Sequence, residues 1–130
     1  MIKKYLGIDY GTKRIGLSIG DGDTKTAVVF NTVNNIDEVI KIVKAEEIDI
    51  VIVGKPYSVA NYEHELPENF KKFINELQKK LPDNIIVDFQ DERLSSKYAD
   101  SLSGSKKTKA SRDEIAAMSI LQNYFDKIRN

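Results

Sequence analysis

The stretch YLGIDYGTKRIGLSIGD, residues 5–21, contains two short apolar runs joined by a glycine-containing turn. The second run alternates in character, with Ile15, Leu17 and Ile19 on one side, which is the period of a half-buried β-strand. The first run leads directly into a carboxylate, Asp9. A solvent-facing turn does not need so apolar a lead-in, so Asp9 is the acid that points most clearly to a chemical role.

The rest of the chain first adds a strand and then alternates helix and strand. A third strand is predicted over Thr26–Thr32, which makes an antiparallel meander of the first three strands. A helix is then predicted from Ile36, capped by Asn35 and Glu38, followed by a β-branched strand over Ile48–Gly54. Next come a helix with an apolar stripe from Leu66 to Leu81, a strand over Ile85–Glu92 and a short inserted helix over residues 94–102.

The last predicted helix begins with an SRDE capping box at Ser111. Its predicted buried stripe consists of Ile115, Met118, Leu121, Phe125 and Ile128.

Strands that alternate with helices become parallel neighbours through right-handed crossovers. We therefore expect an α/β fold with one mixed five-stranded sheet, in which three antiparallel strands are followed by parallel βα units and helices flank the sheet. The 130 residues are the length of one ordinary domain, so residues 1–130 are expected to form a single unit.

Composition excludes disulfide-bonded and membrane-spanning proteins, and the local distribution of charge suggests a partner. The chain has no cysteine, which excludes disulfides and thiolate metal sites, and it has no apolar run long enough for a membrane helix, so we expect a soluble cytoplasmic protein. Formal net charge is zero. The segment from Arg93 to Arg112 nevertheless has one acid, Asp100, among its basic side chains, namely Arg93, Lys97, Lys106, Lys107, Lys109 and Arg112. A phosphate-binding surface and a solvated lysine-rich loop explain this segment about equally well.

Three acids from distant parts of the chain can meet in the predicted fold. Asp9 ends the first strand, Glu92 ends the fifth, and Asp113 lies in the expected first turn of the last helix. Converging carboxylates repel one another and stay ionised only beside cations. Oxygen-only ligands favour Mg²⁺ or Mn²⁺, and such ions support phosphodiester hydrolysis. Each acid alone also has an ordinary structural explanation, so the hypothesis depends on all three meeting.

Four motifs together resemble one known family. LGIDYGTKRIGLSIGD (6–21), VIVGKP (51–56), DERLSS (91–96) and RDEIAAMSILQNYF (112–125) are similar, in order and spacing, to motifs of the YqgF family, whose members are also called RuvX-like. The resemblance implies an RNase H-like fold and a metal-dependent nuclease acting on structured nucleic acid. Bacterial members are associated with maturation of the 5′ end of small-subunit ribosomal RNA, and their Holliday-junction label came by analogy with resolvases of the same fold.

The resemblance also implies roles for particular residues. Asp9, Glu92 and Asp113 would be the catalytic and metal-binding acids, with Mg²⁺ or Mn²⁺ as the cofactor. The partner would be pre-rRNA or branched DNA, and the residues expected to bind it are Thr12, Lys13, Arg93, Lys106, Lys107, Lys109 and Arg112. The loop from Lys55 to Glu63 departs from the family pattern, which leaves substrate preference open.

Two other functions share this type of core. One is a nucleic-acid-binding module without catalysis, which would typically have lost an acid. The other is an ATP-binding protein of the actin and sugar-kinase type, which needs two such domains to clamp its nucleotide, whereas this chain has the length of one. The sequence leaves open RNA or DNA as substrate, endo- or exonucleolytic cleavage, one or two metal ions, and a monomer or homodimer.

Overall fold

The computed structural model describes residues 2–56, 66–91 and 109–128, with side chains of the last range described from Arg112 onward. The inserted helix expected over residues 94–102 lies outside these ranges. No helix within the described ranges is both long and apolar enough to cross a bilayer. The elements in chain order are β1 (Lys4–Tyr10), β2 (Ile15–Asp21), β3 (Val28–Val33), α1 (Ile36–Ala45), β4 (Ile50–Lys55), α2 (Glu68–Lys80), β5 (Ile86–Asp91) and α3 (Lys109–Ile128).

The strands form one five-stranded sheet in the order β3-β2-β1-β4-β5. β1 and β3 both run antiparallel to β2, while β1, β4 and β5 run parallel to one another. This is the predicted mixed sheet. Ile8 is level with Val53, which is level with Phe89, so the carboxyl ends of the three parallel strands meet at one edge. We call this edge, with the β1–β2 turn, the carboxyl rim (residues 9–14, 54–56 and 90–91).

Helices α1 and α2 cover one face of the sheet. The core on this side contains Leu6, Ile8, Val51 and Val53 from the central strands, all fully buried. The predicted cap of α1 is present, because the Glu38 backbone N–H donates to Asn35 Oδ1 at 3.0 Å. The α2 stripe is also present, with buried Phe70, Phe73 and Leu77, and the helix ends before Leu81.

Helix α3 covers the opposite face and lies unusually close to the sheet. A Cβ atom at Gly7 would lie 2.8 Å from the Leu121 Cβ and 3.0 Å from the Ala117 carbonyl oxygen, so only glycine leaves room for the helix. Beside it, Ser18 Oγ donates a buried hydrogen bond of 2.8 Å to the same carbonyl. The close approach holds α3 directly against β1 and β2.

The start of α3 and its buried face differ from the prediction. The helix already includes Lys109, so Ser111 is not its N-cap and Asp113 is not in its first turn. The Glu114 carboxylate accepts a hydrogen bond from Thr32 Oγ1 at 3.0 Å, which is a tertiary contact in place of the expected capping box. Ile128 is 37% exposed, contrary to the predicted stripe. Leu121 and Phe125 of the predicted stripe are fully buried, as are Ala117, Ser119 and Ile120, which the prediction did not include.

Candidate active site

Asp9 and Asp113 lie on the same face of the sheet, at the carboxyl rim. Asp9 follows Gly7 by two residues in β1, so both project toward α3. Its direct cross-strand partner is Gly16 of β2, and paired residues share a face. A Cβ atom at Gly16 would lie 2.5 Å from the carbonyl carbon of Asp113 and 3.0 Å from its Cβ. Gly16 thus lies between the two acids and lets α3 bring Asp113 onto the rim.

The carboxylate of Asp113 is held by Arg14. The Arg14 Nε–H donates to Asp113 Oδ2 at 2.8 Å, and the two side chains are 39% and 27% exposed. Arg14 lies two residues before Gly16, so its side chain emerges on the same face. Sequence reasoning did not select Arg14, although its two-residue spacing from Gly16 was visible.

Gln90 adds an oxygen at the same level of the sheet. It is paired with Gly54, which follows Val53 and is therefore level with Asp9. The Asp88 carboxylate accepts a hydrogen bond from Tyr124 of α3, so Gln90, two residues later, also lies on the α3 face. Gln90 Oε1 is buried and has no hydrogen-bond partner among the described residues. Sequence analysis missed Gln90, because only the register reveals that it is level with Asp9.

An unsatisfied buried oxygen carries a desolvation penalty of about 1–3 kcal/mol. A buried acceptor of this kind therefore needs a donor or a cation. Among the described residues, the Gln90 Nε2 group donates one long hydrogen bond of 3.4 Å, to the Asp91 carbonyl oxygen.

The third predicted acid cannot be placed in the same way. Glu92 follows β5 directly in the sequence, but it lies outside the described residues, as do Arg93, Lys106 and Lys107. Within residues 2–56, 66–91 and 109–128, no three acidic, histidine or cysteine side chains gather closely enough to hold a metal ion. The meeting of all three acids therefore remains a prediction.

The other residues expected to bind nucleic acid are spread around the rim. Thr12 and Lys13 are exposed in the β1–β2 turn. Thr12 lines a cavity of about 320 Å³ that also includes residues of α1 and α2, so it borders the face opposite α3. Arg112 is exposed on α3, next to Asp113, and Lys109 is described only as part of the helix backbone.

A hydrogen bond ties α3 to β5 farther from the rim. Tyr124 Oη donates to Asp88 Oδ2 at 2.8 Å. Burial, followed by this hydrogen bond to a carboxylate, raises the pKa of Tyr124 to about 12. The neutral phenol is thus favoured in the folded chain, and the contact fixes the helix that bears Asp113 relative to the strand that bears Gln90.

These features combine a strand-end acid on β1 with an acid on a C-terminal helix across a mixed five-stranded sheet. Residues 3–127 match the family model described as RuvX, Holliday junction resolvase. The chain belongs to the RuvX family. It is 38% identical to a protein from Phocaeicola vulgatus, with 96% of each chain covered, and 32% identical to one from Endomicrobium trichonymphae, again with 96% of each covered. Both relatives carry the provisional name pre-16S rRNA nuclease.

Solved structures similar to this RuvX-family chain show its fold. Thermus thermophilus RuvC in complex with a Holliday junction substrate superposes with a TM-score of 0.58 at 13% identity, covering 96% of this chain and 94% of RuvC. The fowlpox virus resolvase in complex with Holliday junction DNA gives a TM-score of 0.57 at 14% identity, with all of both chains covered. The RNase H-like fold expected from the sequence is confirmed.

Proposed function

We propose that this RuvX-family chain is a metal-dependent nuclease that hydrolyses phosphodiester bonds in structured nucleic acid. The observation that carries the proposal is the placement of Asp9 and Asp113 on one face of the rim, on either side of Gly16. The names of the relatives favour the precursor of 16S rRNA as the substrate. We propose that the cleavage matures the 5′ end of this RNA in the cytoplasm.

The donor set at the rim fits a divalent metal ion. Asp9, Asp113 and Gln90 Oε1, which has no hydrogen-bond partner among the described residues, offer oxygen only, which suits Mg²⁺ or Mn²⁺ and not a thiolate-binding metal. We propose that Asp9, Asp113 and Glu92 hold the ion, with Gln90 accepting a hydrogen bond from its water. When bound, the ion would supply an activated water and stabilise charge on the leaving oxygen.

The chain's own residues would bind and orient the substrate around this site. Lys13 is exposed in the carboxyl rim and Arg112 is exposed next to Asp113, so both can neutralise backbone phosphates. We propose that Arg93, Lys106, Lys107 and Lys109 extend this surface, with Thr12 at its border. Phosphate contacts of this kind fix the position of the nucleic acid without reading its sequence.

A cleavage assay with matched acid variants tests the proposal. Wild type, Asp9→Asn and Asp83→Asn are incubated with a labelled pre-16S rRNA fragment and with a four-way DNA junction, in Mg²⁺, Mn²⁺ or EDTA. Asp83 is an exposed acid that precedes β5, at the opposite end of the strand from the rim, so Asp83→Asn removes the same charge without touching the site. We expect metal-dependent RNA cleavage that Asp9→Asn reduces a hundredfold or more and Asp83→Asn leaves unchanged.

Metal binding provides a readout that does not depend on turnover. Titration with Mn²⁺, followed by electron paramagnetic resonance, is expected to show a site in wild type that is weakened in both Asp9→Asn and Asp113→Asn. Cleavage that survives Asp9→Asn would contradict the nuclease proposal. Nucleic-acid binding that is unchanged by EDTA, without cleavage under any condition, would instead identify a non-catalytic binding module.

A further inference from the structure

Within the described residues, Arg14 uses only part of its hydrogen-bonding capacity. A guanidinium group has five N–H donors, one on Nε and four on the two Nη atoms. Within the described part of the chain, Arg14 makes one side-chain bond, from Nε to Asp113 Oδ2 at 2.8 Å. The side chain is 39% exposed. At this exposure, the donors that no described residue uses can reach a ligand at the rim.

The position of Arg14 is set by its surroundings before any ligand binds. Its backbone closes the β1–β2 turn, where a Cβ atom at Gly11 would lie 2.6 Å from the Arg14 carbonyl oxygen. The Asp113 carboxylate then fixes the plane of the guanidinium through Nε. A cation held in this way loses little side-chain freedom when an anion binds to its outer edge.

We propose that Arg14 binds a non-bridging oxygen of the substrate phosphate next to Asp113. The proposal rests on the nuclease function above and adds a substrate contact to it. Arginine is suited to this role because its two Nη groups form a planar fork that matches phosphate oxygens. Nε stays on Asp113, so a single side chain would connect an acid of the site to the phosphate and stabilise the charge that develops during hydrolysis.

A purely structural ion pair would behave differently. Exposed ion pairs stabilise folded proteins by about 0–1 kcal/mol and need no particular cation. The chain contains such a pair in Lys80 and Asp37, whose Nζ and Oδ1 atoms lie 2.9 Å apart between α2 and α1. Lys80→Gln therefore serves as the matched control, because it removes one positive charge and its ion pairs with Asp37 and Glu76, on the helices that cover the sheet face opposite Asp113.

The experiment compares Arg14→Gln, Arg14→Lys and Lys80→Gln with wild type in three measurements. These are binding of uncleaved pre-16S rRNA in EDTA over a range of salt concentrations, Mn²⁺ affinity, and cleavage rate. For Arg14→Gln we expect the slope of log affinity against log salt to fall by about 0.7–0.9, the effect of losing one phosphate contact. Lys80→Gln should keep the wild-type slope.

The cleavage rates of the two Arg14 variants separate the effect of the forked guanidinium geometry from the effect of its charge. Arg14→Lys keeps the charge and should keep the salt slope, yet its kcat should fall about tenfold because an ammonium group cannot hold Asp113 and a phosphate in one plane. Arg14→Gln should lose about a hundredfold in kcat.

Two outcomes would overturn the assignment. If Arg14→Gln weakens Mn²⁺ binding but leaves the salt slope unchanged, Arg14 only positions Asp113 and does not contact phosphate. If Arg14→Lys cleaves as fast as wild type, the forked geometry has no role. Failure of the nuclease proposal is separable, because it would appear as absence of cleavage by wild type, while the salt slopes would still decide whether Arg14 binds phosphate.

Discussion

Replacing Gly16 with alanine should displace Asp113 from the carboxyl rim. The new methyl carbon would lie 2.5 Å from the carbonyl carbon of Asp113, whereas two such carbons pack at about 3.5 Å or more. Both partners in the clash are close to backbone, so no flexible side chain can relieve it. Helix α3 must therefore move away from β2 by about 1 Å near Asp113.

The size of the effect follows from this displacement. Overpacking a tight contact typically destabilises by about 1–3 kcal/mol, and a clash against backbone belongs at the upper end. For a chain of this length, about 3 kcal/mol corresponds to a fall in Tm of about 10 °C. A shift of about 1 Å in a catalytic group reduces turnover by about a hundredfold. We therefore expect Gly16→Ala to lose both stability and activity.

Thermal unfolding measures the loss of stability, Mn²⁺ titration reports on the position of Asp113, and the cleavage assay measures the loss of activity in the same samples. Gly22→Ala is the matched control, since its Cβ would have its nearest neighbour at 3.6 Å, an ordinary contact, and no glycine described has a positive φ angle. The control should melt within about 2 °C of wild type. A Gly16→Ala protein with wild-type Tm and Mn²⁺ affinity would refute the conclusion that Gly16 seats Asp113. Failure of Gly16→Ala to fold while Gly22→Ala folds would support it.

Two further predictions concern the helices that frame the site. Tyr124→Phe should lower stability by about 1 kcal/mol at neutral pH, since it loses an exposed hydrogen bond to Asp88. Folding raises the pKa of Tyr124 from 10.0 to about 12, so this tyrosine contributes stability below pH 10 that is lost as the pH rises through 12. The free energies of unfolding of wild type and Tyr124→Phe, measured in urea, should therefore converge as the pH approaches 12. Asn35→Ala should lower the free energy of unfolding by about 1 kcal/mol, because it removes the α1 cap. Asn34→Ala should change it by less than about 0.5 kcal/mol, because the hydrogen bond from Asn34 to Glu38 comes from the Asn34 backbone N–H. Equal effects of the two variants in chemical denaturation would contradict the cap assignment.

The sheet could be predicted because each of its strands is specified locally. Alternating apolar residues marked β2, and the nearly uninterrupted β-branched run marked β4 as buried on both faces. Strand ends were less predictable where tertiary contacts decide them. β3 begins at Val28 and not at the predicted Thr26, and the N–H of Ala27 donates instead to Gln122 Oε1 of α3 at 2.9 Å.

The site was only partly predictable, for a related physical reason. Asp9 could be selected because an acid at the end of a buried strand is unusual on local grounds. Arg14 and Gln90 are unremarkable locally, and their importance appears only when α3 and the sheet register bring them beside the acids. The error at Ser111 has the same origin: SRDE has the pattern of a capping box, yet Glu114 bonds to Thr32 of the sheet instead.

Because α3 packs on β1 and β2, the structure brings together two acids that are far apart in the sequence, at positions 9 and 113. A ribosome that is still synthesising the chain has already released the first acid but has not yet supplied the second. If these acids form a nuclease centre, a nascent or prematurely terminated copy cannot assemble it.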